Sequence, residues 1–205
     1  MHPNPVYRSE DRARILAFAA DRGFGMLAVN GPDAPMLSHV PFVLTGDAGA
    51  GLHLVRSNPI ARALAAGEAA AVLAVAGPDS YVSPDWYELD DQVPTWNYAA
   101  VHLRGRLRLL ADGELRAHLE ALSATFEKRL PGKTPWRLDK VDSQVQARLM
   151  RMIVPVALEI EGVDGTWKLA QNKPEAARLA AADGIEQAGI GQEVAALAAL
   201  MRGAG

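Results

Sequence analysis

Ala99–Leu110 reads as one strand, and from Val101 to Leu109 the chain changes polarity at every step. Val101, Leu103, Gly105, Leu107 and Leu109 fall on one face, and His102, Arg104, Arg106 and Arg108 on the other. A period of two sustained over that length fits a β-strand with one face in a core and one toward water. A helix would scatter the same residues around its circumference. The arginines read as the solvated outer side of an antiparallel strand, with a phosphate or nucleic-acid surface as the minority reading.

The rest of the chain supplies partners for that strand. Phe24–Asn30, Met36–Leu44 and a segment beginning at Leu52–Val55 read as short strands, with Gly46–Gly51 a loop between the last two. Pro41 inside the second implies an edge position or a bulge. The run Ala69–Ala76 has no polar alternation and predicts a strand buried on both faces. Val156–Glu161 is a further strand, followed by a turn signal at Val163-Asp164-Gly165.

Helices are expected over 9–22, with Ser9 as N-cap and Gly23 as stop, and over the short stretch Ile60–Ala66. Asp112 is expected to cap a helix carrying Leu115, Leu119, Leu122 and Phe126. Another runs from about Val141 to Met152, with Val145 and Leu149 on its buried stripe. Residues 174–202 are Ala-rich and helical, broken near Gly189–Gly191. Strands in runs joined by hairpin-length loops indicate an antiparallel sheet, not a doubly wound parallel one. The fold expected is mainly β with peripheral helices (α+β), a closed or partly closed barrel. Residues 1–173 form its domain, helices are inserted at about 112–152, and 174–205 make a helical extension.

Composition narrows the chemistry. The chain has 205 residues and no cysteine, which excludes disulfides and thiolate sites. No apolar run reaches the ~18–20 residues of a membrane span, and the first residues lack the order of a secretory signal, so a cytoplasmic location is expected. A formal net charge of −3 argues mildly against nucleic-acid binding.

Three segments carry candidate chemistry. Gly77–Gly105 sets Tyr81, Trp86 and Tyr87 on a Pro-rich passage and then adds Pro94-Thr95-Trp96-Asn97-Tyr98. Rings beside amides, hydroxyls and rigid prolines suit a pocket for a flat heteroaromatic ligand. Trp167-Lys168-Leu169-Ala170-Gln171-Asn172 repeats that chemistry with a cation. His53-Leu54-Val55-Arg56-Ser57-Asn58-Pro59 ends a strand with groups that suit a phosphate; taken alone the residues read first as a plain helix cap, and both roles can hold together. Phosphate-loop, dinucleotide and serine-nucleophile motifs are missing. His39, His53 and His102 are candidates for one sheet face, but no metal-ligand spacing supports a metal site.

Taken together, HLVRSNP (53–59), GPDSYVSPDWY (77–87), VPTWNYAAVHLRG (93–105) and WKLAQN (167–172) resemble the PaiB family of FMN-binding negative transcriptional regulators. The resemblance implies an antiparallel split β-barrel of the pyridoxamine-phosphate-oxidase type, a homodimer with FMN held non-covalently at the subunit interface. Carried onto this chain, Ser38, His39, Arg56, Ser57 and Asn58 would face the ribityl phosphate. Trp96, Asn97 and Tyr98 would line the ring region, with Lys168, Gln171 and Asn172 reaching in from the partner. Two departures stand out: Val55-Arg56-Ser57 replaces Ala-Arg-Ala, and Ala170 replaces a serine beside Gln171.

Direct DNA reading is not expected, because no helix-turn-helix pair is evident. Two rival readings remain. One is a flavin-dependent oxidoreductase, with His39 and Tyr98 as weak acid–base candidates and the flavin doing the redox chemistry. The other is a haem-binding split barrel that uses one of the histidines.

Overall fold

The computed structural model describes residues 2–204. In chain order its elements are β1 (Arg8–Ser9), α1 (Arg12–Arg22), β2 (Phe24–Val29), β3 (Met36–Leu44), β4 (Gly49–Val55), α2 (Pro59–Ala63), β5 (Ala69–Val82) and β6 (Thr95–Leu109). They continue with α3 (Leu115–Glu127), α4 (Ser143–Met150), β7 (Ile153–Lys168), α5 (Glu175–Ala188), β8 (Gly191–Gln192) and α6 (Val194–Arg202). Strands pair in the order β1–β7–β4–β3–β2–β5–β6, and β6 also pairs with β7. Six strands thus close an antiparallel barrel, with β1 added on β7 and β8 on β5. Closure removes the exposed sheet edges that an open sheet would leave.

Contacts divide the chain into two compact units. One contains Leu16–Ala74 and Leu103–Val163; the other contains Met1–Ile15, Val75–His102 and Asp164–Gly205. In the first, Leu27, Phe42, Leu52, Leu73, Leu103, Leu107 and Leu158 are fully buried, each at an inward position of its strand. In the second, α5 buries Ala177, Ala181, Ala182 and Ile185 against Leu197, Ala198 and Met201 of α6. Small residues on that stripe let the two helices approach closely. Arg178, itself buried, donates to the carbonyls of Met201 and Arg202 and so satisfies the open C-terminal end of α6.

Pro41 sits at a local edge, as expected, since up to this residue β3 is paired on the β2 side only. It faces Phe24 at the end of the β2 ladder, and β4 pairing begins one residue later at Phe42↔Leu52, so the missing N–H falls where β3 changes partner. Several other local expectations are corrected. β5 does alternate: Ala71, Leu73 and Val75 are buried while Ala70 and Ala76 are exposed. The pattern was invisible in sequence because its outward residues are themselves small and apolar. The Val163-Asp164-Gly165 signal is not a turn but part of the 16-residue strand β7.

At the first helix, Asp11 and not Ser9 accepts from the N–H of Arg14. Helix α3 starts through a 3₁₀ turn in which Glu114 accepts from the N–H of Ala111, leaving Asp112 to pair with Arg56. In α4 the expected stripe is wrong: Leu149 is exposed and Val145 half-buried, while Gln146 is the buried residue.

Helix α3 lies on the outer face of β3 and β4. Gly23 permits this, because a Cβ there would stand 2.5 Å from the Phe126 ring and its φ of +57° disfavours other residues. The strip of the same outer face that includes Phe24, Leu37, His39 and Val55 stays exposed; strand register places all four on one side.

Candidate functional site

The expected ligand residues fall into two groups, one in each compact unit. The first gathers at the end of β4 and the start of α2. Asn58 caps α2, its Oδ1 accepting from Ile60 N at 2.9 Å, and its Nδ2 donates to Ser38 Oγ at 3.2 Å. Arg56 donates to the carbonyls of Arg151 at 3.1 Å and Ile153 at 3.3 Å, and meets Asp112 Oδ1 at 3.4 Å. The cap and the cation described from sequence therefore coexist. Arg56 and Ser57 are exposed, so both remain open to a ligand. Ser38 and His39 do not act together, because neighbouring strand residues point to opposite faces. His39 instead stacks on Phe24, their ring centroids 6.3 Å apart.

The second group surrounds a polar cavity of about 250 Å³. Strand β6 contributes Thr95 and Asn97, the end of β7 contributes Lys168, and the following turn contributes Asn172 and Lys173. Lys168 Nζ donates to Thr95 Oγ1 and, at 2.7 Å, to the carbonyl of Trp96. Burial pushes the Lys168 ammonium below its ordinary pKa. Lys173 Nζ donates to Gln92 Oε1 and stands 5.3 Å from the Tyr87 ring. Burial, then the neighbouring Tyr7, raises the Tyr87 phenol to about 12, so it is a hydrogen-bonding group and not an acid near neutrality.

Asn97 is the telling residue. It is 1% exposed, its Nδ2 donates to Met201 Sδ at 3.5 Å, and its Oδ1 has no hydrogen-bond partner among the described residues. A buried amide oxygen left unpaired costs about 1–3 kcal/mol. The residue itself is one of those lining the polar cavity, although this oxygen is closed off from solvent.

Other expected residues take different roles. Gln171 spends its amide on the backbone: Oε1 accepts from Leu169 N, and Nε2 donates to the carbonyls of Trp167 and Val6. It locks a turn that needs Ala170 at a φ of +60°. Trp96 is exposed, on the opposite strand face from Asn97, and meets Tyr81 edge-on at 6.4 Å; Tyr98 shares its face and is half-buried. Tyr7, Tyr87, Gln92 and Lys173 line the cavity without having been singled out as ligands. Tyr87 and Gln92 sit inside the aromatic segment and Lys173 directly follows the Trp-Lys one, so the signal was present. Tyr7 gave none.

The histidines do not converge as a metal set. His53 on β4 and His118 on α3 pair instead, Nδ1 to Nε2 at 3.1 Å. Among the described residues no cluster of three or more His, Cys, Asp or Glu is placed to hold a metal. Burial lowers both imidazoles, and His53 helps bring His118 from 6.5 to about 4.

A depressed histidine binds its proton in the unfolded chain first. The stability it provides is therefore complete above about pH 6.5 and is lost as pH falls toward about 4. Discounted for partial solvent access, the loss should be about 1–2 kcal/mol. Denaturant unfolding between pH 7 and 4 should show it, and His118→Gln should remove most of the slope. An undiminished slope in the variant would contradict this pairing.

A family model described as "Putative FMN-binding domain" matches residues 1–162. The chain is 28% identical over 184 residues to the protease synthase and sporulation protein PAI 2 of Bacillus subtilis, covering 85% of this chain and 84% of that protein. This bears out the PaiB resemblance. Among solved structures, the FAD and heme binding protein from Mycobacterium smegmatis superposes with a TM-score of 0.61 at 20% identity, covering 79% of this chain and 73% of the other. The flavocytochrome Anf3 from Azotobacter vinelandii gives 0.59 at 14%, covering 82% and 72%. Both share the fold, which supports the split barrel.

Proposed function

The chain belongs to the family of FMN-binding domains, and from that premise we propose that it works as a homodimer, holding FMN non-covalently where two copies meet. Its biological role in this reading is negative regulation of transcription, which the PaiB resemblance implies. The observation that carries the ligand assignment is the polar cavity that brings together Asn97, with its unpartnered Oδ1, Lys168 and Lys173. Hydroxyl or imide donors would satisfy the amide, and the lysines suit an electron-rich or anionic group. FMN offers both kinds of group, so the residues fit it.

In this proposal Asn97 and Lys168 hold the cofactor directly, with Asn172 and Lys173 at the rim. Gln171 fixes the turn that aims Lys168, and Trp96 and Tyr98 present their rings from the other strand face. Arg56, Ser57, Asn58 and Ser38 form the second set of contacts, for the phosphate, while His39 lies on the opposite strand face. When bound, FMN supplies electron-transfer chemistry that no side chain here provides.

Two features favour a second copy. The cavity of about 250 Å³ is smaller than the roughly 300–1,000 Å³ that usually enclose an organic ligand, so a partner is needed to cover the rest. The strip bearing Phe24, Leu37 and Val55, each more than half exposed, offers an apolar face to cover. If the cofactor is shared, FMN affinity will rise with protein concentration until the dimer is saturated. Affinity independent of protein concentration, in a sample shown to dissociate over that range, would count against sharing.

Regulation in this reading does not require contact with DNA. A gel-shift experiment at moderate salt should give no sequence-dependent retardation by the flavin-loaded protein; specific retardation would overturn that part of the proposal. Among the described residues no helix is long and apolar enough to cross a membrane.

A further inference from the structure

Helix α3 and the segment that follows it border a half-open cavity of about 720 Å³, far larger than the polar one lined by Asn97. Its floor is the α3 face carrying Arg116, Glu120 and Ala124, and its roof is the arch from Thr134 to Asp139. The arch is pinned on both sides. At one end the Glu127 carboxylate accepts from Lys133 Nζ and from Trp136 N at 2.6 Å. At the other, buried Gln146 donates to the carbonyls of Leu138 at 3.0 Å and Val141 at 2.6 Å, and accepts from Arg116 at 2.5 Å.

These clamps hold the roof off the helix. A loose loop with a Trp and a Leu would collapse to bury them, whereas Trp136 and Leu138 stay only half-buried and line open space. The volume falls within the roughly 300–1,000 Å³ of small-molecule pockets. Apolar walls come from Ala124, Pro135, Trp136 and Leu138. Of the three cations on the lining, Arg116 pairs with Glu120 at 3.1 Å and Arg137 with Asp139 at 3.5 Å. Lys128, the third, has no ion-pair partner among the described residues.

We propose that this cavity is a second ligand site, taking a small carboxylic acid with a flat apolar body: the body packs on the Trp136 indole and the carboxylate meets Lys128. The site goes beyond the flavin reading and does not depend on it. A pre-formed pocket of this kind would give the protein a second place to bind a small metabolite.

Calorimetric titration of the protein with 2-naphthoate tests it. Saturable binding is expected, with equal affinity in the presence and absence of saturating FMN. Lys128→Ala should weaken it about tenfold, as for a lost charge-assisted hydrogen bond, and the uncharged methyl ester should be weakened similarly. Ala124→Phe, on an exposed helix position, should fill the cavity and abolish binding while leaving the unfolding midpoint unchanged. No saturable binding at millimolar ligand would overturn the proposal, as would binding that survives both substitutions. Competition by FMN would overturn the separate identity of the site. A protein that bound naphthoate but no FMN would leave this inference standing and sink the flavin reading alone.

Discussion

Gly105→Ala is expected to destabilise the protein by about 3 kcal/mol. The added Cβ would lie 1.7 Å from the carbonyl oxygen of Glu159, 2.8 Å from its carbonyl carbon and 3.1 Å from Glu161 N. All three are backbone atoms, so no rotamer change relieves the clash. Either β6 or β7 must move away, and their pairing is the one that closes the barrel. Urea unfolding should show a large fall in midpoint with little change in slope. Gly113→Ala is the control: nothing lies within 4 Å of a Cβ there, and a near-neutral result is expected. A loss below about 1 kcal/mol for Gly105→Ala would mean that the two strands are not held so close.

Replacement of Lys168 by alanine should weaken FMN binding by about 1–3 kcal/mol, and Arg56→Ala by a similar amount, the usual range for charge-assisted hydrogen bonds. The two differ in what else they disturb. Lys168 is held by Thr95 and the Trp96 carbonyl, and burial already disfavours its charge, so its removal should leave stability nearly unchanged. Arg56 ties together Arg151, Ile153 and Asp112, so its loss should also lower the unfolding midpoint. Flavin-fluorescence titration of each variant, paired with thermal unfolding, separates the two effects. Unchanged affinity in both would rule out the cationic contacts proposed for the cofactor.

The strands were legible wherever one face was apolar and the other charged, as from Val101 to Leu109. They were misread where outward positions were also small and apolar, as in Ala69–Ala76, because burial on one face then looks like burial on two. Turn residues misled in the same way: Asp164 and Gly165 carry a turn signal in sequence, yet pairing of Gly165 with Ser9 keeps them in a strand. The site was partly legible for a chemical reason. Rings, amides and lysines packed into short Pro-rich passages stand out, and Asn97, Lys168 and Asn172 do share a cavity wall. What could not be read was which polar groups the fold would consume. Gln171 looks like a ligand residue and is a turn lock, while Tyr7 comes to the cavity from the other end of the chain. The His53–His118 pair was hidden for that reason too, since its members are 65 residues apart.

Native mass spectrometry of the FMN-saturated protein tests the central claim most directly, because it weighs chains and cofactors in one particle. The account predicts two chains carrying two FMN molecules, with the flavin released unmodified on denaturation. A single chain that retains FMN, or a dimer that carries none at saturating flavin, would contradict it.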